Sequence, residues 1–206
     1  MQTSSRKPWN KDRCVGPRER LTPEQIQLII QHFIDMQNTH DLCLFTVAID
    51  TMLRASDLLG MKVSDVMRAD GRIRDRFILR QKKTRQPVKP TLTPESRKHL
   101  ANWISADGKV SGDFIFTRSK GPKQTPITVG FYRSLIKSWC EAVGIDPHSV
   151  SAHSLRRSKA IHLYESGVSV ELIGRLLGHR SSASTIHYLG INDAKAQDAA
   201  LTHTLF

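Results

Sequence analysis

From about Arg72 to Thr93 the chain abandons the helical spacing of apolar residues that organises the segments on either side. RIRDRFILRQ and PVKPTL are strand-length runs joined by a basic, polar turn around Lys82 to Gln86, the pattern of a β-hairpin. Upstream, Thr22-Pro23-Glu24-Gln25 supplies an N-cap, a proline at the first helical position and a capping-box glutamine. Ile26, Ile29, Ile30, Phe33 and Ile34 follow at helical spacing. A second helix is expected over about 41–52, and a short third one capped by Ser56 and running through Leu58 and Leu59. Downstream, Thr93-Pro94-Glu95-Ser96 opens a helix with Leu100, Trp103 and Ile104 inward; 113–117 reads as a short strand and 118–125 as a loop. Further helices are expected near 129–143, 152–166, 170–177 and 183–188, with a last one from about Asn192. The fold class is therefore α+β, mainly α-helical, with a small antiparallel sheet and helices on both sides of it in sequence.

Lys and Arg outnumber Asp and Glu by 31 to 19, and the resulting charge of +12 points to a polyanionic partner, with nucleic acid first. Residues 1–20 look like a basic arm, carrying Arg6, Lys7, Lys11, Arg13, Arg18 and Arg20 against Asp12 and Glu19. Cys14, Cys43 and Cys140 have no metal-ligand spacing, and a reduced cytoplasm suits them. The start lacks the apolar core of a secretory signal, and the longest apolar stretch, 43–49, is too short to span a bilayer, so no membrane partner is expected.

Nucleotide-binding glycine loops, H-E-x-x-H and carboxylate clusters for Mg²⁺ are missing from the sequence, which disfavours two-metal nuclease chemistry. Phosphodiester chemistry without metal needs a protein nucleophile and fixed cations to neutralise the phosphoryl oxygens. In Ala152-His153-Ser154-Leu155-Arg156 the His and Arg project from one helical face, and the planar fork of Arg156 suits a phosphate. Leu176-Leu177-Gly178-His179 comes next, then Tyr188. On one unbroken helix His179 and Tyr188 would face opposite ways, so a shared site requires a turn, which Arg180-Ser181-Ser182 can provide.

HSLRRSKA, LLGH and Tyr188 at the ninth position after His179 resemble the C-terminal signature of the tyrosine recombinases of the phage integrase type. Met52-Leu53-Arg54-Ala55-Ser56-Asp57-Leu58-Leu59 resembles the family's first-arginine segment, with Asp57 where Glu is more usual. Gln81-Lys82-Lys83-Thr84-Arg85 stands where the family carries a hairpin lysine; Lys83 is the preferred assignment and Lys82 its competitor. Tyr132 and Tyr164 read as packing residues.

The resemblance implies a site-specific recombinase in which Tyr188 attacks a backbone phosphate to give a 3′-phosphotyrosine, with no cofactor, metal or ATP. It assigns Arg54 and Arg156 to the phosphate oxygens, Lys83 to the leaving oxygen, His153 to the tyrosine proton and His179 to a phosphate hydrogen bond. The basic hairpin, with Arg72, Arg74, Arg76, Arg80, Lys82, Arg85 and Lys89, is expected to hold flanking phosphates. The expected partners are double-stranded DNA, further copies of the chain in a tetramer on DNA, and an accessory DNA-binding protein. Residues 21–206 would form the catalytic domain, and the short segment before them resembles the small stand-alone members, such as fimbrial phase-variation invertases, without a separate N-terminal domain, or a fragment. Two rivals stand beside this reading: a non-catalytic regulator built on a helix-turn-helix over Gly167 to Gly178, and a topoisomerase of type IB.

Overall fold

The computed structural model describes residues 19–117 and 125–202. Residues 1–18 of the expected basic arm and most of the expected 118–125 loop lie outside them. Glu19, Arg20 and Leu21 are tied to later segments: Glu19 N–H donates to Ser149 O (3.1 Å), Arg20 pairs with Glu165 at 2.6 Å, and Leu21 N–H donates to Ser158 Oγ (2.9 Å).

Helix α1 (Pro23–Asp35) starts on the expected capping box of Thr22 and Gln25. Ile29 and Phe33 are buried, whereas Ile34, expected on the apolar stripe, is 49% exposed. Helix α2 (Thr39–Thr51) is buried along ten consecutive-to-near-consecutive positions, the signature of a helix surrounded by others. It packs against α1, α5 (Pro94–Ala106) and α7 (Ala152–Glu165). Its buried Asp50 takes hydrogen bonds from Thr93, the N-cap of α5, and an ion pair from Lys159 of α7. Burial alone would raise the pKa of this carboxyl; hydrogen bonds from Ser96 and Thr93, with Lys159 nearby, hold it below the ordinary value. Helix α6 (Val129–Ala142) brings Trp139 edge-on to Phe33 and Phe45, and the Trp139 indole N–H donates to Asp41 (2.9 Å).

The short helices α3 (Ala55–Leu58) and α4 (Val63–Val66) follow α2. Arg54, not Ser56, is the N-cap of α3. Met52 turns the chain in the left-handed region (φ 48°), so that Arg54 leaves the buried α2 in extended backbone (ψ 148°). The expected hairpin is present with shorter strands: β1 (Leu79–Arg80) pairs antiparallel with β2 (Pro87–Val88), in the register Leu79 to Val88. The 113–117 segment forms isolated bridges, Lys62 to Phe114 and Thr117 to Pro126, rather than a strand, because its backbone pairs with loops instead of with the hairpin.

Helices α8 (Val170–Leu177), α9 (Ser182–Leu189) and α10 (Asp193–Thr202) complete the described chain. Ile173, Leu177 and Leu189 form a small second core with Met52 and Ala160, beside the main one. Leu155 belongs to the main core and Ala160 to the second, so α7 spans the junction and carries His153 and Arg156 there. Tyr132 is buried as expected, but Tyr164 is 38% exposed and is not a packing residue. No helix of the described residues is long and apolar enough to cross a membrane.

Candidate active site

A cavity of about 710 Å³ opens between three helix starts: Arg54-Ala55-Ser56 of α3, Val129-Gly130 of α6 and Ser151-Ala152-His153 of α7. Unpaired backbone N–H groups and the positive end of the peptide dipoles make such starts favourable to anions. Arg54, Lys83, Arg133 and Lys137 line the same space, and among the described residues no carboxylate does. Arg133 and Lys137 stand one turn apart on an exposed face of α6; sequence reading missed them, although their same-face spacing was a usable signal.

The hairpin delivers one lysine to this cavity. Lys83 lines it, whereas the Lys82 ammonium lies over Gly60, where a Cβ would come within 2.6 Å of it. Asp57, the departure from the family pattern, accepts the Lys82 backbone N–H at 2.8 Å and so ties the hairpin turn to the helix beginning at Arg54.

Arg156 is buried. Its Nη2 donates to the Leu177 carbonyl (2.7 Å), and the guanidinium stands 5.7 Å over the Tyr188 ring. Burial pulls its pKa down to about 10, with Arg54 acting in the same direction. The helix break anticipated after His179 is real: Gly178 caps α8 in the left-handed conformation and Ser181 caps α9. The turn folds His179 back onto Tyr188, ring centroids 5.4 Å apart and nearly perpendicular. Thr185, fully buried on α9, meets His179 Nδ1 at 3.1 Å, and Arg157 Nε donates to the Tyr188 carbonyl at 2.8 Å. Neither contact was legible in the sequence.

Three buried donors at this junction have no hydrogen-bond partner: Arg54 Nη1, Arg156 Nε and the Tyr188 hydroxyl. Burial raises the Tyr188 pKa, against the lowering effect of Arg156, Arg157 and Arg54. The His153 pKa is lowered by partial burial and by Arg156, Arg54, Arg133 and Lys83, which keeps the imidazole a neutral proton acceptor near pH 7. Among the described residues, no group of three or more His, Cys, Asp or Glu side chains could hold a metal ion.

None of the seven cations assigned to the hairpin lines the cavity between the three helix starts. Arg72 and Arg76 point outward beside Asp70 and Asp75, and Arg80 donates to the Arg85 carbonyl. Lys89 lines a second cavity of about 560 Å³ with Arg175, His179 and Arg180.

Two outcomes follow from the geometry. Gly178 has φ +68°, and a Cβ there would lie 2.5 Å from Val88 Cγ1 and 2.8 Å from Gln81 Nε2. Gly178→Ala is expected to destabilise the fold by about 2–4 kcal/mol, measured by denaturant unfolding, since overpacking and backbone strain add. For His179, burial lowers the pKa from 6.5 to about 4. Unfolding therefore takes up a proton between these values, and stability contributed by the neutral ring is present above pH 6.5 and lost as pH falls toward 4. His179→Gln should flatten the fall in melting temperature across this window; an unchanged profile would contradict the assignment.

The fold joins a helical scaffold to a basic hairpin around a cation-lined cavity. A model of the phage integrase family matches residues 19–195, and the chain belongs to that family. The tyrosine recombinase of Pseudothermotoga lettingae is 28% identical over 179 residues, covering 87% of this chain and 58% of that protein. A probable integrase/recombinase of Bacillus subtilis is 28% identical over 171 residues, covering 82% of this chain and 87% of its own length. The chain thus spans less than two thirds of the first relative and most of the second. Among solved structures, a XerA recombinase superposes with a TM-score of 0.73 at 20% identity, covering 93% of this chain and 68% of that one. A lambda integrase dimer bound to a COC′ core site gives 0.64 at 22% identity, covering 84% and 49%. The fold is that of the tyrosine recombinase catalytic domain. The helix-turn-helix reading is not favoured: Ile173 and Leu177 of α8 are core residues and the helix ends where the Leu177 carbonyl accepts from Arg156.

Proposed function

We propose that this chain is the catalytic domain of a site-specific DNA recombinase or integrase that breaks and rejoins strands through Tyr188. The observation that carries the reading is the convergence of the three partnerless buried donors, Arg54 Nη1, Arg156 Nε and the Tyr188 hydroxyl, beside a cation-lined cavity. A phosphodiester supplies the acceptors that the two arginines lack.

Arg54 and Arg156 hold the non-bridging oxygens, where fixed donors in a water-poor site act most strongly on developing charge. The Tyr188 oxygen bonds to phosphorus as the bond to the 5′-oxygen breaks. The phenolic proton passes to His153 or to an acceptor that His153 orients, and the Lys83 ammonium gives a proton to the leaving 5′-oxygen. His179, held through Nδ1 by Thr185, donates from its other nitrogen to the phosphate. A 5′-hydroxyl from another strand then reverses these steps, so the phosphotyrosine link conserves the bond energy and no metal or ATP takes part.

Arg72, Arg74, Arg76, Arg80, Lys82, Arg85 and Lys89 hold backbone phosphates beyond the reacting one, joined by Arg133 and Lys137. Binding to duplex DNA should fall roughly a thousandfold between 50 and 200 mM salt if about six phosphates are contacted. Strand exchange needs four such centres, which gives a homotetramer on two duplexes in the cytoplasm, with an accessory DNA-binding protein assisting the grip.

The test is covalent capture from a pool of nicked duplexes of random sequence. Wild type is expected to form an adduct that survives detergent and EDTA, and the captured DNA defines its site. No adduct from any member of the pool would overturn the reading.

A further inference from the structure

Gln81 is an uncharged side chain in a hairpin otherwise crowded with cations, and it is 1% exposed. Its Nε2 donates to the carbonyl of Leu177 (3.1 Å), across 96 residues, and its Oε1 accepts from Thr84 Oγ1 (2.7 Å). Its backbone closes the turn as well: Gln81 N–H donates to Gln86 O, and Arg85 N–H donates to Gln81 O, both at 2.9 Å. The Leu177 carbonyl is also the acceptor of Arg156 Nη2. One backbone oxygen, immediately before Gly178 and His179, thus gathers the catalytic arginine and the hairpin. The fit requires Gly178, since a Cβ there would lie within 3.0 Å of both ends of the Gln81 amide.

We propose that Gln81 is a positioning residue for the leaving-group step: it locks the Lys82–Arg85 turn to the Leu177 carbonyl, so that Lys83 is held in the same frame as Arg156 and His179. Lys83 itself is exposed, with a flexible stem, and the buried amide two residues earlier replaces that freedom with a fixed turn. The inference rests on the proposed role of Lys83 as proton donor to the 5′-oxygen.

Gln81→Met keeps the volume of the side chain while removing its donor and acceptor. Single-turnover cleavage is measured on a suicide duplex bearing the captured site, with either oxygen or sulfur at the bridging 5′ position. A thiolate leaves without a proton because thiols are far more acidic than alcohols. On the oxygen substrate Gln81→Met should cleave about 10- to 100-fold more slowly than wild type, a part of the ~10²–10⁴-fold that a positioned acid supplies. On the sulfur substrate it should come within about threefold of wild type, and duplex affinity should be unchanged. Thr84→Val, which removes the hydroxyl that orients the amide, should show the same rescue from a smaller defect, and it decides the matter if Gln81→Met does not fold. Equal slowing of these variants on both substrates, or no slowing on oxygen, overturns the inference. Lys83→Met serves as the reference: rescue of Lys83→Met by sulfur without rescue of the Gln81 and Thr84 variants overturns the role of Gln81 alone. Lys83→Met that stays slow on sulfur removes Lys83 as the acid, and the inference with it.

Discussion

Tyr188→Phe is expected to form no covalent DNA adduct while folding at least as stably as the native chain. The two effects have one origin. The Tyr188 hydroxyl is buried without a hydrogen-bond partner, so the folded protein bears its desolvation with nothing in return. An unsatisfied buried donor costs about 1–3 kcal/mol, and a phenylalanine of the same shape removes that cost. A gain of about 1 kcal/mol in unfolding free energy should accompany complete loss of the detergent-resistant adduct, with duplex binding retained. Thermal unfolding and gel analysis of the same preparation read both. Residual adduct, mapped by mass spectrometry to the exposed Tyr164 or to any other residue, would reassign the nucleophile.

The second large effect is at Arg54. Its Nη1 is buried and partnerless, and it faces the same junction as the buried Arg156, whose pKa it helps to lower. Like charges held together and offset only in part by the buried Asp57 are a burden in the free protein and a clamp once a phosphate arrives. Arg54→Gln should therefore slow strand cleavage by about a thousandfold, the upper range for loss of one donor to a developing oxyanion, or about 4 kcal/mol of barrier. Its melting temperature should match or exceed that of the native chain. Arg156→Gln should lose comparable activity but also stability, because Arg156 donates to the Leu177 carbonyl and Arg54 Nη1 donates to nothing. Parallel stability losses in both variants would refute the idea that Arg54 is held in reserve for a ligand.

Local rules carry the helices well because their causes are local. Thr22, Thr93, Thr128, Ser151, Ser169 and Ser181 each cap a helix through a side chain that reaches only a few residues onward, and such spacings can be read directly. The hairpin was legible for the same reason, in its basic turn, while its strands came out shorter than the pattern implied. Strand length depends on which partner the backbone finds, and after Arg80 the chain turns back within a few residues. The short strand expected over 113–117 failed similarly, its residues bridging to Lys62 and Pro126.

The order Arg54, hairpin lysine, His153 with Arg156, His179 and Tyr188 was read in the sequence through the resemblance of its motifs to the tyrosine recombinases; taken singly, the H-x-x-R pair and Tyr188 do not stand out from ordinary surface and core residues. The placement of Lys83 on the cavity and of Lys82 against Gly60 was a matter for tertiary structure: adjacent residues of a turn point to different places, and composition cannot tell them apart. So were Arg133 and Lys137 on the cavity wall, Thr185 on His179, Arg157 on the Tyr188 carbonyl, and Gln81 sharing the Leu177 carbonyl with Arg156. Each of those contacts, apart from the short step from Thr185 to His179, joins elements distant in the chain, so its geometry follows from how helices and hairpin pack and not from any periodicity along them.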